Sequence, residues 1–127
     1  MPGAETTVLL VEDDPTVAHI YSLSLERAGY RVVVARDGIE GVEMAGRESP
    51  DLIFLDIRMP RMDGVEALRA LSANPATKSV PVVMLSNFDD PAVMRETRGL
   101  GARDYVVKAS TNPAELAGIV ARWLESG

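Results

Sequence analysis

Residues 7–35, TVLLVEDDPTVAHIYSLSLERAGYRVVVA, hold a strand, a helix and a second strand in one continuous run. Thr7 to Val11 and Arg31 to Ala35 are short, and their centres are apolar without alternation, as strands covered on both faces of a parallel sheet require. Between them Val17, Ile20, Tyr21, Ser24, Leu25 and Ala28 recur at the spacing of one helix face. Asp14 before Pro15 marks where that helix starts, because the aspartate caps free backbone N–H groups and a proline at the first helical position loses no hydrogen bond. A strand, a helix and a strand in this order predict a right-handed crossover between parallel neighbours.

The same unit repeats outward along the chain. Leu52 to Leu55, Val80 to Leu85 and Tyr105 to Val107 read as further strands. Helical patterns cover Gly38 to Glu48, Gly64 to Ser72, Pro91 to Arg98, and the stretch holding Leu116, Ile119, Val120, Trp123 and Leu124. Asp90-Pro91 and Asn112-Pro113 repeat the cap-proline signal, and Asp37 with Glu40 resembles a capping box. Five strand–helix units predict an α/β protein, a parallel five-stranded sheet between two helical layers, with 6–125 forming one domain.

Composition narrows the functions open to it. Thirteen basic against nineteen acidic residues leave a net charge of -6, with no basic run, which argues against nucleic acid or an anionic membrane as a direct partner. With no cysteine, disulfides, thiolate catalysis and cysteine-held metal centres are excluded. The first residues, MPGAETT, lack the pattern of a signal peptide, and no apolar run approaches the roughly 18 residues of a membrane span, so a cytoplasmic location is expected.

Parallel strands deliver their carboxyl ends to one edge, where α/β sheets bind ligands. Here those ends carry Glu12-Asp13-Asp14, Asp56, Ser86-Asn87 and Lys108. Glu12, Asp13 and Asp56 brought together would repel unless a hard cation lay among them, and oxygen ligands with a single histidine in the chain favour magnesium over zinc. Lys108 and Ser86 suit phosphoryl oxygens, so the edge reads as a phosphoryl-transfer site. No GxxxxGK[ST] or GxGxxG loop is present to cradle a nucleotide. Arg58 stands where an aspartyl phosphatase carries a second acid, so Asp56 reads as an acceptor of phosphate from an activated donor.

Taken together, VLLVEDDP, LIFLDIRMPRMDG, VVMLSN and GARDYVVKAS resemble the receiver domain of two-component response regulators over residues 6–125. The resemblance implies a flavodoxin-like fold with strand order 2-1-3-4-5. It implies that Asp56 accepts the phosphoryl group of a histidine kinase or phosphotransfer protein. By position Asp13 matches the direct magnesium ligand, Glu12 a ligand acting through water, and the Arg58 carbonyl a backbone ligand. Lys108 matches the phosphoryl-binding lysine, Ser86 the switch hydroxyl and Tyr105 the switch aromatic. Phosphorylation is then expected to remodel the face of the fourth helix, fifth strand and fifth helix. A downstream protein or an output domain would read that face, with the chain a monomer or a phosphorylation-dependent dimer.

Asp14 reads as a helix cap only, and His19 as a structural or solvent-facing residue on the first helix, away from the cleft. Ala109 stands where the family usually has a cis proline, which predicts a trans Lys108–Ala109 bond and a changed loop. Asn87 is larger than the alanine or glycine common beside the family's switch hydroxyl and is expected to restrict access, and Arg58 puts a long cation beside the phosphoryl group, where it is expected to shield against water. Other readings remain open: a receiver scaffold that never accepts phosphate, a receiver excised from a longer regulator, and an aspartyl-phosphate hydrolase or flavodoxin-like cofactor binder, against which the missing second acid and phosphate loop both speak.

Overall fold

The computed structural model describes residues 6–125, so the signal-peptide reading of the first residues falls outside it. The chain runs β1 (Thr7–Val11), α1 (Pro15–Arg27), β2 (Arg31–Ala35), α2 (Gly38–Glu48), β3 (Leu52–Asp56), α3 (Gly64–Ala73), β4 (Val82–Ser86), α4 (Pro91–Gly99), β5 (Asp104–Val107) and α5 (Glu115–Glu125), with a 3₁₀ turn at Lys108–Ser110. All pairings are parallel and the order is β2-β1-β3-β4-β5, as expected.

Alternation within the strands splits the core between the two faces. Val8, Leu10, Phe54, Val83 and Leu85 pack with Ala18, Tyr21 and Leu25 of α1 and with Leu116 and Val120 of α5. Leu9, Val11, Ile53, Leu55 and Met84 pack on the other face with Ala45 of α2 and Ala67, Leu68 and Leu71 of α3. Phe54 is wholly buried, and truncation to alanine there costs about 3–5 kcal/mol. In α4 only Thr97 is buried, which accounts for its weak sequence pattern.

Local chemistry moved two element starts and altered one cap. β4 begins at Val82 because Pro81 has no N–H for the ladder, while Val80 N–H is spent on Thr77 O (3.0 Å) in the preceding turn. The final helix opens with a tight turn, Leu116 N–H donating to Pro113 O (3.2 Å), and Asn112 caps it by accepting from Ala114 N–H (3.0 Å). At α2 the box expected from Asp37 and Glu40 closes on one side only: Asp37 accepts from Glu40 N–H (2.9 Å), whereas Glu40 reaches back to Arg36 N–H (2.7 Å). The complete capping box is at α3, between Asp63 and Glu66.

Candidate functional site

The ladder between β1 and β2 extends one residue past the strand through Glu12 N–H to Ala35 O (2.9 Å), which draws Glu12 inward to 1 % exposure. Its carboxylate accepts from Asp14 N–H (3.1 Å) and from Lys108 Nζ (2.5 Å). Asp13 faces solvent. Asp14 accepts from Thr16 N–H (2.9 Å) and Val17 N–H (3.2 Å), the cap read from the sequence.

Asp56 closes β3 at 5 % exposure, with Oδ1 accepting from Ile57 N–H (2.9 Å) and Oδ2 lying 3.3 Å from Lys108 Nζ. Gly64 holds the following loop against it. Gly64 N–H donates to Ile57 O (2.7 Å), and a Cβ there would fall 2.2 Å from Asp56 O. Only glycine allows α3 to start so close to the Asp56 backbone.

Burial raises the Asp56 carboxyl to about 7, and the neighbouring Glu12 charge adds to the rise while Lys108 opposes it. For Lys108 burial acts downward, yet its hydrogen bond to Glu12 and the charges of Asp56 and Glu12 outweigh burial and hold it above the ordinary lysine value. One cation is therefore set between two buried acids. Ligand oxygens of Glu12, Asp13 and Asp56 lie within 4.8 Å of one another, an all-oxygen set that fits a hard divalent ion.

On the other side of the cleft Ser86, 7 % exposed, accepts from Phe88 N–H (3.1 Å) through Oγ. Tyr105 Oη donates to Phe88 O (2.9 Å). Arg58 carries its guanidinium 5.1 Å from the centre of the Phe88 ring. Phe88 thus touches three residues singled out from the sequence, although sequence alone did not mark it; its place two residues after Ser86 was the only signal. No cis peptide occurs among the described residues, so the Lys108–Ala109 bond is trans, as expected. His19 is exposed on α1, as expected, and lines a groove of about 410 Å³ that runs between α1 and β2 and opens beside Glu12 and Asp13. α1 turns this side toward the uncovered edge strand, which helical periodicity does not encode.

The fold and the carboxyl-edge cluster define a flavodoxin-like α/β signalling module. Within that class the chain belongs to the response regulator receiver domain family, which matches residues 8–121. Phosphorylation-dependent switching is the general function of this family, whose members are phosphoacceptors rather than conventional enzymes. The chain is 35% identical over 101 residues to the protein PilH of Pseudomonas aeruginosa, covering 80% of this chain and 84% of that one. It is 37% identical over 101 residues to the DNA-binding transcriptional regulator RpaA of Synechocystis, covering 80% of this chain and 42% of RpaA. It thus spans about two-fifths of the length of such regulators. Among solved structures, the chemotaxis protein CheY4 of Vibrio cholerae superposes with a TM-score of 0.87 at 33% identity, over 94% of this chain and 98% of that one. The receiver domain of the sensor histidine kinase PA1611 from Pseudomonas aeruginosa, which has a magnesium ion coordinated in its active site cleft, gives 0.87 at 34% identity, over 96% and 99%. Among the described residues no helix is long and apolar enough to cross a membrane.

Proposed function

We propose that residues 6–125 act as a receiver that takes a phosphoryl group onto Asp56 from the phosphohistidine of a histidine kinase or phosphotransfer protein. The observation that carries this reading is the joining of Asp56 and Glu12 through Lys108, buried at the sheet edge beside Asp13. An Asp56 oxygen attacks phosphorus, the P–O bond forms as the P–N bond breaks, and the leaving imidazole nitrogen keeps the electron pair and takes up a proton. Lys108, 3.3 Å from Asp56 Oδ2, is placed to bind a phosphoryl oxygen as that charge arrives. Glu12, Asp13, Asp56 and the Arg58 carbonyl would hold magnesium, which when bound supplies charge neutralisation for the carboxylates and the phosphoryl oxygens.

Ser86 exchanges Phe88 N–H for the new phosphoryl oxygen, and Tyr105 follows the altered loop, so that the surface of α4, β5 and α5 changes for a downstream protein or output domain. The same site hydrolyses its own acyl phosphate when water reaches Asp56. A phosphohistidine donor is made from ATP, which puts the chain in the cytoplasm.

The test is intact-protein mass spectrometry after incubation with acetyl phosphate, with and without magnesium, and with Asp56→Asn as control. One phosphoryl adduct that needs both magnesium and Asp56 is expected. An adduct surviving Asp56→Asn overturns the assignment, and no adduct in wild type with magnesium bound favours a scaffold.

A further inference from the structure

We propose that Asp37 and Arg61 are positioning residues for the metal: their ion pair ties the loop after β3 to the loop after β2 and so holds the Arg58 carbonyl where magnesium would take it as a ligand. The proposal rests on the receiver reading of Asp56, and it gives a role in that site to two side chains outside the acid cluster.

The loop after β3 is pinned by backbone bonds at both ends. Ile57 N–H donates to Leu85 O (3.1 Å), Gly64 N–H to Ile57 O (2.7 Å), and Gly38 N–H, at the start of α2, to Met62 O (3.1 Å). Gly38 comes so close that a Cβ there would fall 2.2 Å from Met62 O. Ile57, Met59 and Met62 pack on the core beneath, which leaves Arg58, Pro60 and Arg61 at the surface. Between the pinned ends the chain turns tightly, with Met62 N–H donating to Pro60 O (2.7 Å) across Arg61, whose φ is 65°. A three-residue turn at positive φ is the strained form, which glycine enters freely and a residue with a Cβ does not. Such a conformation persists only where the surroundings over-determine it.

The Arg61 side chain supplies that hold. Its Nε and Nη2 both donate to Asp37 Oδ2, at 2.9 and 2.8 Å. Asp37 is fixed in turn, because Oδ1 accepts from Glu40 N–H (2.9 Å) in the first turn of α2. The Glu40 N–H, and with it the guanidinium, holds the Asp37 carboxyl below the ordinary aspartate value. Two donors converging on an ionised carboxylate give direction as well as charge. Arg58 is tethered the other way, its guanidinium 5.1 Å from the centre of the Phe88 ring. The Arg58 carbonyl is thus strung between two anchored arginines, one reaching the loop after β2 and the other the loop after β4. Magnesium demands near-ideal placing of its oxygens, and residues behind a ligand set commonly change metal affinity roughly 10–100-fold.

The test is a magnesium titration of the unphosphorylated, isotope-labelled chain. NMR follows the amides of Glu12, Asp13 and Asp56 and the carbonyl carbon of Arg58 in wild type, Asp37→Asn, Arg61→Ala, Arg61→Gly and the Asp37→Asn/Arg61→Gly double variant. Asparagine keeps an oxygen for the Glu40 N–H and glycine relieves the turn, so the metal-free variants should melt within a few degrees of wild type. The magnesium dissociation constant should rise about tenfold in Arg61→Gly, with a smaller Arg58 carbonyl shift at saturation, and no further in the double variant. By charge alone the loss of a cation would favour a divalent ion, so weaker binding in the Arg61 variants reports placement. Wild-type affinity in Arg61→Gly and Arg61→Ala overturns the proposal, as does a loss confined to Asp37→Asn, which would trace to the acid's own charge. A wild type whose acid-cluster amides do not respond to magnesium overturns the receiver reading and the tether with it.

Discussion

The carboxyl edge of the sheet is built in two halves that differ in every physical respect. On the β1–β3 half, Glu12 and Asp56 are buried, Lys108 binds both, and Gly64 clamps the loop behind them. On the β4–β5 half, Asn87, Phe88, Asp89 and Asp90 are exposed, and α4 behind them buries a single threonine. Bond-making needs fixed distances and a low local dielectric, whereas transmitting the event needs a segment whose two arrangements differ little in free energy. Rigidity and compliance lie a few ångströms apart because neighbouring strands end in unlike loops.

Breaking the rigid half should have the largest effects. Lys108→Ala leaves the acids without their cation and should cost roughly 3 kcal/mol in urea unfolding, the lower end for a buried pair because Asp56 can take up a proton. Unchanged stability would show that the cluster is wetter than its burial implies. Gly64→Ala puts a methyl group 2.2 Å from Asp56 O and should cost about 1–3 kcal/mol while displacing Asp56, so the rate of adduct formation should fall with it. Full phosphorylation of that variant would mean that the clamp is unnecessary for the chemistry.

A pH titration sharpens the comparison further. Asp56 is raised from 3.8 to about 7, so between these values the unfolded chain gives up a proton that the folded chain keeps. The contribution of Asp56 to stability is therefore fully present below about 4 and declines as pH rises towards about 7, where most of it is lost. With chelator present, thermal melts of wild type should show this decline and those of Asp56→Asn should not. Magnesium should raise the melting temperature of wild type more than that of the variant, through binding linkage.

The compliant half should respond in lifetime rather than stability. The Arg58–Phe88 contact is exposed and worth about 0.5–1 kcal/mol, so Arg58→Ala and Phe88→Ala should barely shift the melt. Both should shorten the phosphoaspartate lifetime, and the double variant should lose little more than either single one if the two form one shield. Equal decay in all four proteins removes the shield. Smallest of all, Arg69→Ala breaks the exposed pair to Glu96 (3.4 Å) that ties α4 to α3 and should change stability by less than about 0.5 kcal/mol.

Most of the rigid half was legible in the sequence. Apolar strands ending in Glu12, Asp56, Ser86 and Lys108 meet at one edge once the strands are parallel, and proline–cap pairs mark helix starts whatever the tertiary context. The rest depended on contacts between distant residues. Nothing near Phe88 announces Arg58, thirty positions earlier, and nothing in α1 tells that its His19 side borders an edge strand. Glu40 could reach either of two adjacent N–H groups, and only the path of the loop selected Arg36.

Phe88 also offers a way to watch the switch in solution. Its N–H and its C=O serve different listeners, Ser86 Oγ and Tyr105 Oη, at 3.1 and 2.9 Å. Isotopic labelling of this one residue gives two spectroscopic channels, the nitrogen following Ser86 and the carbonyl carbon following Tyr105. If both channels move in a single relaxation step on phosphorylation, hydroxyl and aromatic ring travel together; if they separate in time, the order of events can be read from one amino acid.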